Sequence, residues 1–122
     1  MTSKSPIHWF EIPCEDIDRA ATFYETLLDT KLDRMTFGDP MAVFPYCEGG
    51  IGGTLVKRSM RKPSPGGTMV YLSCNGVLDQ VIARVSGAGG LVLLPKTEIP
   101  GGYGFKACLR DSEGNHIGLH SV

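Results

Sequence analysis

The sequence predicts an α+β fold of two βαβββ modules that form a cleft between curved mixed sheets. The order strand, helix and three strands occurs twice, and the apolar positions of the two copies match at an offset of 60 residues. A chain of 122 residues fits one compact domain, with little room for a second core. We therefore expect a single domain over residues 1–122, with module one at about 6–58 and module two at about 67–122.

The first module opens with a strand and a capped helix. The segment from Ile7 to Pro13 is rich in β-branched and aromatic residues, which favour a strand. Asp16 follows at the position of a helix N-cap, and the predicted helix runs to about Asp29. One helix face is apolar at three- and four-residue intervals, through Ile17, Ala20, Ala21, Tyr24, Leu27 and Leu28.

Three short strands complete each module. In module one they are predicted at Lys31–Phe37, Met41–Tyr46 and Ile51–Lys57, separated by Gly and Pro turn signals. A basic loop rich in Pro, Gly and Ser, from Arg58 to Gly67, connects the modules. Module two then has a strand at Thr68–Cys74, a helix from Val77 to Val85 that ends in glycines, and strands at Leu91–Leu94, Gly104–Arg110 and His116–Ser121.

Alternation along the first strand predicts which side chains face the cleft. Phe10 and Ile12 share the more uniformly apolar face, so we expect the helix to cover them. The side chains of Trp9 and Glu11 are then expected to point into the cleft. The offset of 60 residues places Met69 at the position of module two that corresponds to Trp9.

Composition excludes two classes of partner. Twelve Lys and Arg against 13 Asp and Glu give a formal charge of −1, which leaves no cationic field for nucleic acid. The longest apolar run, Leu91 to Leu94, is far shorter than the ~18 residues of a membrane helix. The N-terminus lacks the apolar core of a signal peptide, so we expect a soluble, cytoplasmic protein.

The four cysteines are widely spaced, without a Cys-x-x-Cys pair or a histidine at zinc-finger spacing. We interpret Cys14, Cys47, Cys74 and Cys108 as reduced thiols, although an oxidising compartment would allow two disulfides. Cys14 and Cys74 are expected to be small buried apolar side chains.

Two glycine-rich stretches need separate explanations. The stretch from Gly49 to Gly53 precedes a strand, so it is not a dinucleotide-type phosphate cradle; it indicates a kinked strand or a backbone close to a ligand. The stretch from Gly101 to Gly104 follows Pro100 and indicates either a β-turn or a mobile loop at the mouth of the cleft.

Four segments together resemble a known superfamily. They are Trp9–Pro13, Asp16–Ala20, Phe23–Tyr24 and Asp111–Asn115, the last being the sequence Asp-Ser-Glu-Gly-Asn before the final strand. In these residues the chain resembles the vicinal oxygen chelate superfamily, which includes glyoxalase I, bleomycin-resistance proteins, fosfomycin-resistance transferases and extradiol dioxygenases. The resemblance implies a glyoxalase-like fold whose cleft is often completed by a second subunit, so we expect a homodimer.

Metal-dependent members of the superfamily hold a divalent ion with His, Glu or Gln side chains from the first and last strands of each module. The resemblance maps these positions to Trp9, Met69, Gly118 and either Gly53 or Thr54. None of these residue types is a suitable ligand for a hard or borderline divalent ion. We therefore expect no metal and no cofactor.

A displaced metal site is the alternative. His116 and His120 share a strand face with Gly118, and Glu11 lies two residues from Trp9. Residues four apart on a strand stand ~13 Å apart, so the two histidines cannot bind one ion, and Glu11 with one histidine gives only two ligands. Otherwise His116 is a strand residue beside a turn, and His120 is a polar residue near the C-terminus.

The expected cleft residues carry open alternatives. Glu11 is either a general base or polar anchor, or a structural carboxylate bound to an arginine or the backbone. Tyr71, across the pseudo-symmetric site, either donates its hydroxyl to a ligand or belongs to the core. Trp9 and Met69 offer aromatic and polarisable walls, so the expected ligand is an apolar or aromatic small molecule.

The sequence thus predicts a metal-independent small-molecule binding protein that resembles the bleomycin-resistance branch. The alternative is a glyoxalase-like lyase or isomerase of a small oxygenated substrate, with Glu11 as general base and Tyr71 or His116 as partner. A third alternative is a subunit whose partner completes the site. The residues expected to bind ligand are Trp9, Glu11, Met69, Tyr71, Gly118 and His120.

Overall fold

The computed structural model describes residues 5–122, which form two four-stranded sheets with two helices. Module one contains β1 (Trp9–Pro13), α1 (Ile17–Leu28), β2 (Asp33–Phe37), β3 (Asp39–Val43) and β4 (Gly52–Val56). Module two contains β5 (Tyr71–Ser73), α2 (Leu78–Ala88), β6 (Leu91–Glu98), β7 (Phe105–Arg110) and β8 (His116–Ser121).

The two sheets have the same topology. Their strand orders are β1-β4-β3-β2 and β5-β8-β7-β6, so the first strand of each module lies at an edge and pairs with the last. These first–last pairs are parallel, with Trp9 opposite Gly52 and Tyr71 opposite Gly118, and the other pairs are antiparallel. The predicted α+β fold of two βαβββ modules is confirmed. Within residues 5–122, neither helix is long and apolar enough to cross a membrane.

Strand boundaries differ from the expected ones in module two. β5 spans only Tyr71–Ser73, so Met69 lies in the preceding loop. The N–H of Gly118 still donates to the carbonyl of Val70 (2.8 Å), but Met69 follows the glycine-rich loop too closely to join the sheet. β6 extends to Glu98, past the expected end, because an edge strand tolerates Pro95 through the register shift between residues 94 and 97.

The β2–β3 connection is also shorter than expected. Residues 38–40 were expected to separate two strands, but β3 already begins at Asp39. Only Gly38 intervenes, and its φ of +75° lies in the left-handed region that glycine adopts without strain. β3 correspondingly ends at Val43, earlier than the expected Tyr46.

Both helices begin and end as their sequences indicate. The Asp16 side chain caps α1 by accepting a hydrogen bond from the Arg19 N–H (3.0 Å), as predicted. Asp29 ends α1 in the left-handed conformation (φ 51°), and Gly89 does the same for α2 (φ 108°). At the start of α2, Val77 provides no side-chain cap.

One core joins the helices and the inner faces of both sheets. As the alternation predicted, Phe10 and Ile12 face this core, with the Phe10 ring 5.6 Å from that of Phe44. Cys14 and Cys74 are buried and free, as predicted. Burial raises the pKa of the Cys14 thiol to about 11, and the nearby carboxylates of Glu113, Asp111 and Asp16 act in the same direction.

The turn between β7 and β8, residues 111–115, ties the modules together. Asp111 is buried, and its carboxylate accepts a hydrogen bond from the hydroxyl group of Tyr24 on α1 at 2.6 Å. The same carboxylate accepts hydrogen bonds from the backbone N–H groups of Glu113 and Asn115, both at 2.9 Å. The Asn115 side-chain amide donates to the carbonyl of Pro13 on β1 at 2.8 Å.

Glu113 of this turn caps the connection between β1 and α1. Its carboxylate accepts backbone N–H bonds from Glu15 (2.9 Å) and Asp16 (3.0 Å) and a two-point hydrogen bond from Arg19 (2.7 and 2.9 Å). Burial alone raises the pKa of Glu113, but the donors from Arg19, Asp16, Ser112 and Glu15 outweigh it and lower this pKa from 4.5 to about 2.

We expect Glu113→Gln to lower the free energy of unfolding by about 2 kcal/mol at neutral pH, because it removes a charge that four donors satisfy. The depressed pKa makes this contribution full above about 4.5 and lost as pH falls through about 2, so the two proteins converge in acid. Urea denaturation at several pH values measures the difference.

Asp18→Asn is the control for this prediction. It removes a carboxylate whose partner is Arg34, but both side chains are exposed (82% and 46%), so the expected loss is under about 0.5 kcal/mol. Equal losses for the two variants would contradict the role assigned to Glu113.

Candidate functional site

A cleft of about 590 Å³ lies between β1 of module one and the start of β8 of module two. β1 and β4 form one wall, the start of β8 forms the other, and the loop between the modules covers one side. The residues that line it are Trp9, Glu11, Ile12, Pro13, Val56, Arg61, Lys62, Ser64, Gly66, Thr68, Val70, Asn115, His116 and Ile117.

The structure brings three of the predicted site residues together. Trp9, Glu11 and His116 line the cleft, with Trp9 and Glu11 on the face of β1 that points away from the core. His116 opens β8 directly after the 111–115 turn. These three were predicted from strand alternation and from the position of the turn, and both signals are local in sequence.

The other predicted site residues do not line this cleft. Met69 lies in the loop before β5, and the Tyr71 ring packs flat over Gly118, so the glycine backbone is covered. His120 hydrogen-bonds through its Nε2 to the backbone carbonyl of Tyr103 at 2.8 Å. Tyr71 and His120 therefore lie away from Glu11 and His116, on the open part of the module-two sheet.

Arg58 holds the Glu11 carboxylate. Its Nη1 lies 2.5 Å from Oε1 of Glu11 and its Nη2 lies 3.3 Å from Oε2, which makes a two-point ion pair. The same guanidinium reaches Asp39 through Nε at 3.0 Å. Because hydrogen bonds to these acids favour its charged form, the pKa of Arg58 is raised. The structural interpretation of Glu11, a salt bridge to an arginine, matches this geometry.

Trp9 forms the aromatic wall of the cleft. It is the single tryptophan of the chain, it is 42% exposed, and its ring meets that of Tyr46 edge-on at a centroid distance of 5.9 Å. Gly52, its partner on β4, has no side chain, and a Cβ there would lie 2.8 Å from the Trp9 ring. Gly52 thus allows the indole to lie across the strand.

The glycine-rich stretches are structural. A Cβ at Gly53 would overlap the Phe10 ring on the core face, so the 49–53 stretch provides space for aromatic rings on both faces of β4. Gly101, Gly102 and Gly104 have positive φ in the tight β6–β7 turn, where the N–H of Ile99 donates to the carbonyl of Gly104 at 2.8 Å. This turn is not part of the cleft wall.

The loop between the modules was expected to shape the cleft, but sequence reasoning named none of its residues as site residues. Arg61, Lys62, Ser64, Gly66 and Thr68 all line the cavity. The available signal was compositional, a basic Pro- and Gly-rich segment between two apolar strands, and it indicated a connection without indicating its position.

The loop is fixed by long-range contacts. Asn115 accepts a hydrogen bond from the Ser64 N–H at 3.2 Å, and the Arg61 N–H donates to the Arg58 carbonyl at 3.3 Å. Arg58 is itself bound to Glu11 on β1. The Ser64–Asn115 and Arg58–Glu11 contacts join residues 51 and 47 positions apart in sequence, so no local pattern reveals them.

The donor set does not fit the divalent ion that the superfamily implies. Of the mapped ligand positions, Gly118 lies beneath the Tyr71 ring, Gly53 beneath the Phe10 ring, and Trp9 has no suitable donor. The Thr54 hydroxyl, at the alternative position, is buried and donates to backbone carbonyls. Among residues 5–122, no group of three or more His, Cys, Asp or Glu side chains is arranged to hold a metal ion.

Comparisons with known proteins place this geometry in a fold family. Residues 7–45, about a third of the chain, match the family model described as bleomycin resistance protein-like N-terminal. No curated protein matches the sequence significantly.

Solved structures match over nearly the whole chain. A glyoxalase/bleomycin resistance protein from Albidiferax ferrireducens has a TM-score of 0.76 at 19% identity, covering 97% of this chain and 100% of that one. A hypothetical protein from S. aureus has a TM-score of 0.75 at 23% identity, covering 98% and 96%.

A mutant of glyoxalase I from Zea mays has a TM-score of 0.71 at 21% identity, and the match covers 95% of this chain but only 46% of the maize chain. At these identities the structures establish a shared fold, and a fold hosts more than one activity. The chain thus has the fold of the glyoxalase and bleomycin-resistance proteins, and the N-terminal match supports the predicted resemblance to the vicinal oxygen chelate superfamily.

Proposed function

We propose that the chain is a metal-independent small-molecule binding protein, with the two modules at 6–58 and 67–122 acting as one binding domain. The observation that carries the proposal is a cleft of about 590 Å³ between the modules, with an exposed face of Trp9 in its wall. Its volume lies in the usual range of small-molecule sites, about 300–1,000 Å³.

The pairing of Glu11 favours binding over proton abstraction. Both carboxylate oxygens accept hydrogen bonds from Arg58, which holds Glu11 in a structural ion pair. Tyr71, the proposed catalytic partner, does not line the cleft with Glu11. His116 does line it, but no carboxylate hydrogen-bonded to His116 is found within residues 5–122 to orient its ring as a base.

The cleft chemistry suits a ligand with a flat apolar part. Trp9 offers a ring face, and Val70, which is partly exposed, adds aliphatic surface along the same cavity. The free cysteines fit a reducing compartment, so we place the protein in the cytoplasm.

Binding is tested with 3-phenylpropionamide, a neutral aromatic probe, in protein treated with EDTA. We expect saturable quenching of Trp9 fluorescence and an upward shift of Tm that follows ligand occupancy. EDTA leaves both signals unchanged if no metal takes part. A probe that binds only after a divalent metal is added would contradict the proposal.

Trp9→Ala and Tyr103→Ala separate the cleft from the rest of the surface. Both residues are exposed aromatics (42% and 69%), but only Trp9 lines the cleft. Calorimetric titration is expected to show at least about tenfold weaker binding for Trp9→Ala and no change for Tyr103→Ala. Equal losses in both variants would indicate non-specific binding.

We further propose a homodimer, which the resemblance also implies. The open face of the module-one sheet exposes Met35 (43%), Phe37 (77%) and Tyr46 (56%) around a depression of about 390 Å³ beside Trp9. An apolar face of this kind commonly marks a contact surface, and a second copy of the chain covers two such faces at once.

Phe37→Glu tests this proposal because it places a charge in the centre of the exposed face. We expect the dimer dissociation constant to rise at least about a hundredfold in sedimentation equilibrium, with the fold unchanged by circular dichroism. Tyr103→Glu, on the β6–β7 turn, is the control. A wild-type protein that sediments as a monomer at all concentrations would refute the dimer.

A further inference from the structure

We propose that the cleft selects organic anions, with a flat apolar group against Trp9 and a carboxylate or similar acidic group at Arg61 and Lys62. This inference deepens the proposed function and rests on it. The overall charge of −1 gives no hint of it, so the argument depends on how the charges are distributed around the cavity.

Among residues 5–122, one carboxylate lines the cleft, and it is held in an ion pair. Glu11 is the acidic residue among the lining residues, and it shares a two-point ion pair with Arg58. Arg58 lies behind the wall, with its side chain 27% exposed, and divides its charge between Glu11 and Asp39. Arg58 thus offsets part of the negative charge of Glu11 beside the cleft.

The loop supplies positive charge that internal partners do not offset. Within residues 5–122, the Arg61 guanidinium makes neither a hydrogen bond nor an ion pair, although its backbone N–H is anchored to Arg58. Lys62 lies 3.5 Å from Glu15, but these side chains are 60% and 49% exposed. Such a surface pair is worth little and can exchange for a ligand carboxylate.

The loop backbone is held in place before a ligand arrives. Asn115 fixes Ser64, and the backbone bridge between residues 58 and 61 constrains the start of the loop. The charges therefore sit on an anchored segment, which reduces the entropy lost when a ligand is bound. Guanidinium groups also bind carboxylates through two parallel hydrogen bonds, which gives Arg61 directional selectivity.

Three probes that differ only in charge test the proposal. We expect 3-phenylpropionate to bind about tenfold more tightly than 3-phenylpropionamide, and 3-phenylpropylamine, a cation at neutral pH, to bind more weakly than the amide. Titrations follow Trp9 fluorescence, and calorimetry at low and moderate salt checks the affinities.

Arg61→Gln and Lys62→Gln are each expected to reduce the preference for the anion over the amide to about threefold or less. Arg34→Gln is the matched control, since it removes the same charge from an exposed arginine on β2 outside the cleft. We expect Arg34→Gln to keep the full preference for the anion over the amide. This result would show that the preference comes from charges in the cleft and not from the net charge of the protein.

The outcomes distinguish the inference from the proposed function. If the amide binds and the three probes have equal affinity, the anion selectivity is refuted and the binding function stands. If the anion preference survives in both loop variants, Arg61 and Lys62 do not provide it and the inference fails. If none of the probes quenches Trp9 saturably, the proposed function and the inference both fail.

Discussion

The rest of the structure depends on the hydrogen bonds between the β7–β8 turn and the β1–α1 connection. Asp111, Glu113 and Asn115 belong to module two, yet their side chains satisfy Tyr24, Arg19 and three backbone groups of module one. The carboxylate oxygens of Asp111 and Glu113 all accept hydrogen bonds, which offsets the cost of burying these charges. These contacts hold β1 beside the start of β8, and the cleft lies between these two segments.

The fold was predictable because its determinants are local. Strand alternation placed Phe10 toward the core and Trp9 toward the cleft, and Asp16 marked the start of α1. The site was predictable only in part. The pairing of Glu11 with Arg58 depends on contacts between residues 47 positions apart, and alternation says nothing about partners at that distance.

Trp9, Met69, Gly118 and either Gly53 or Thr54 stand at the positions that the resemblance maps to metal ligands. Trp9 lies over Gly52 and the Tyr71 ring covers Gly118, so aromatic side chains fill the space that ligand side chains would need. Arg58 then binds Glu11, the nearest carboxylate. Arg61 and Lys62 of the basic loop also line the cleft.

The central claim is that this cleft operates without a metal, and the most direct test is the metal content of the purified, tag-free protein. The protein is dialysed separately against nickel, zinc and manganese, passed through gel filtration and analysed for metal per chain. With so few donors converging, we predict that less than about a tenth of the chains retain any of the three ions. Near-stoichiometric retention of one ion would contradict the account and assign Glu11 and a histidine to a displaced metal site.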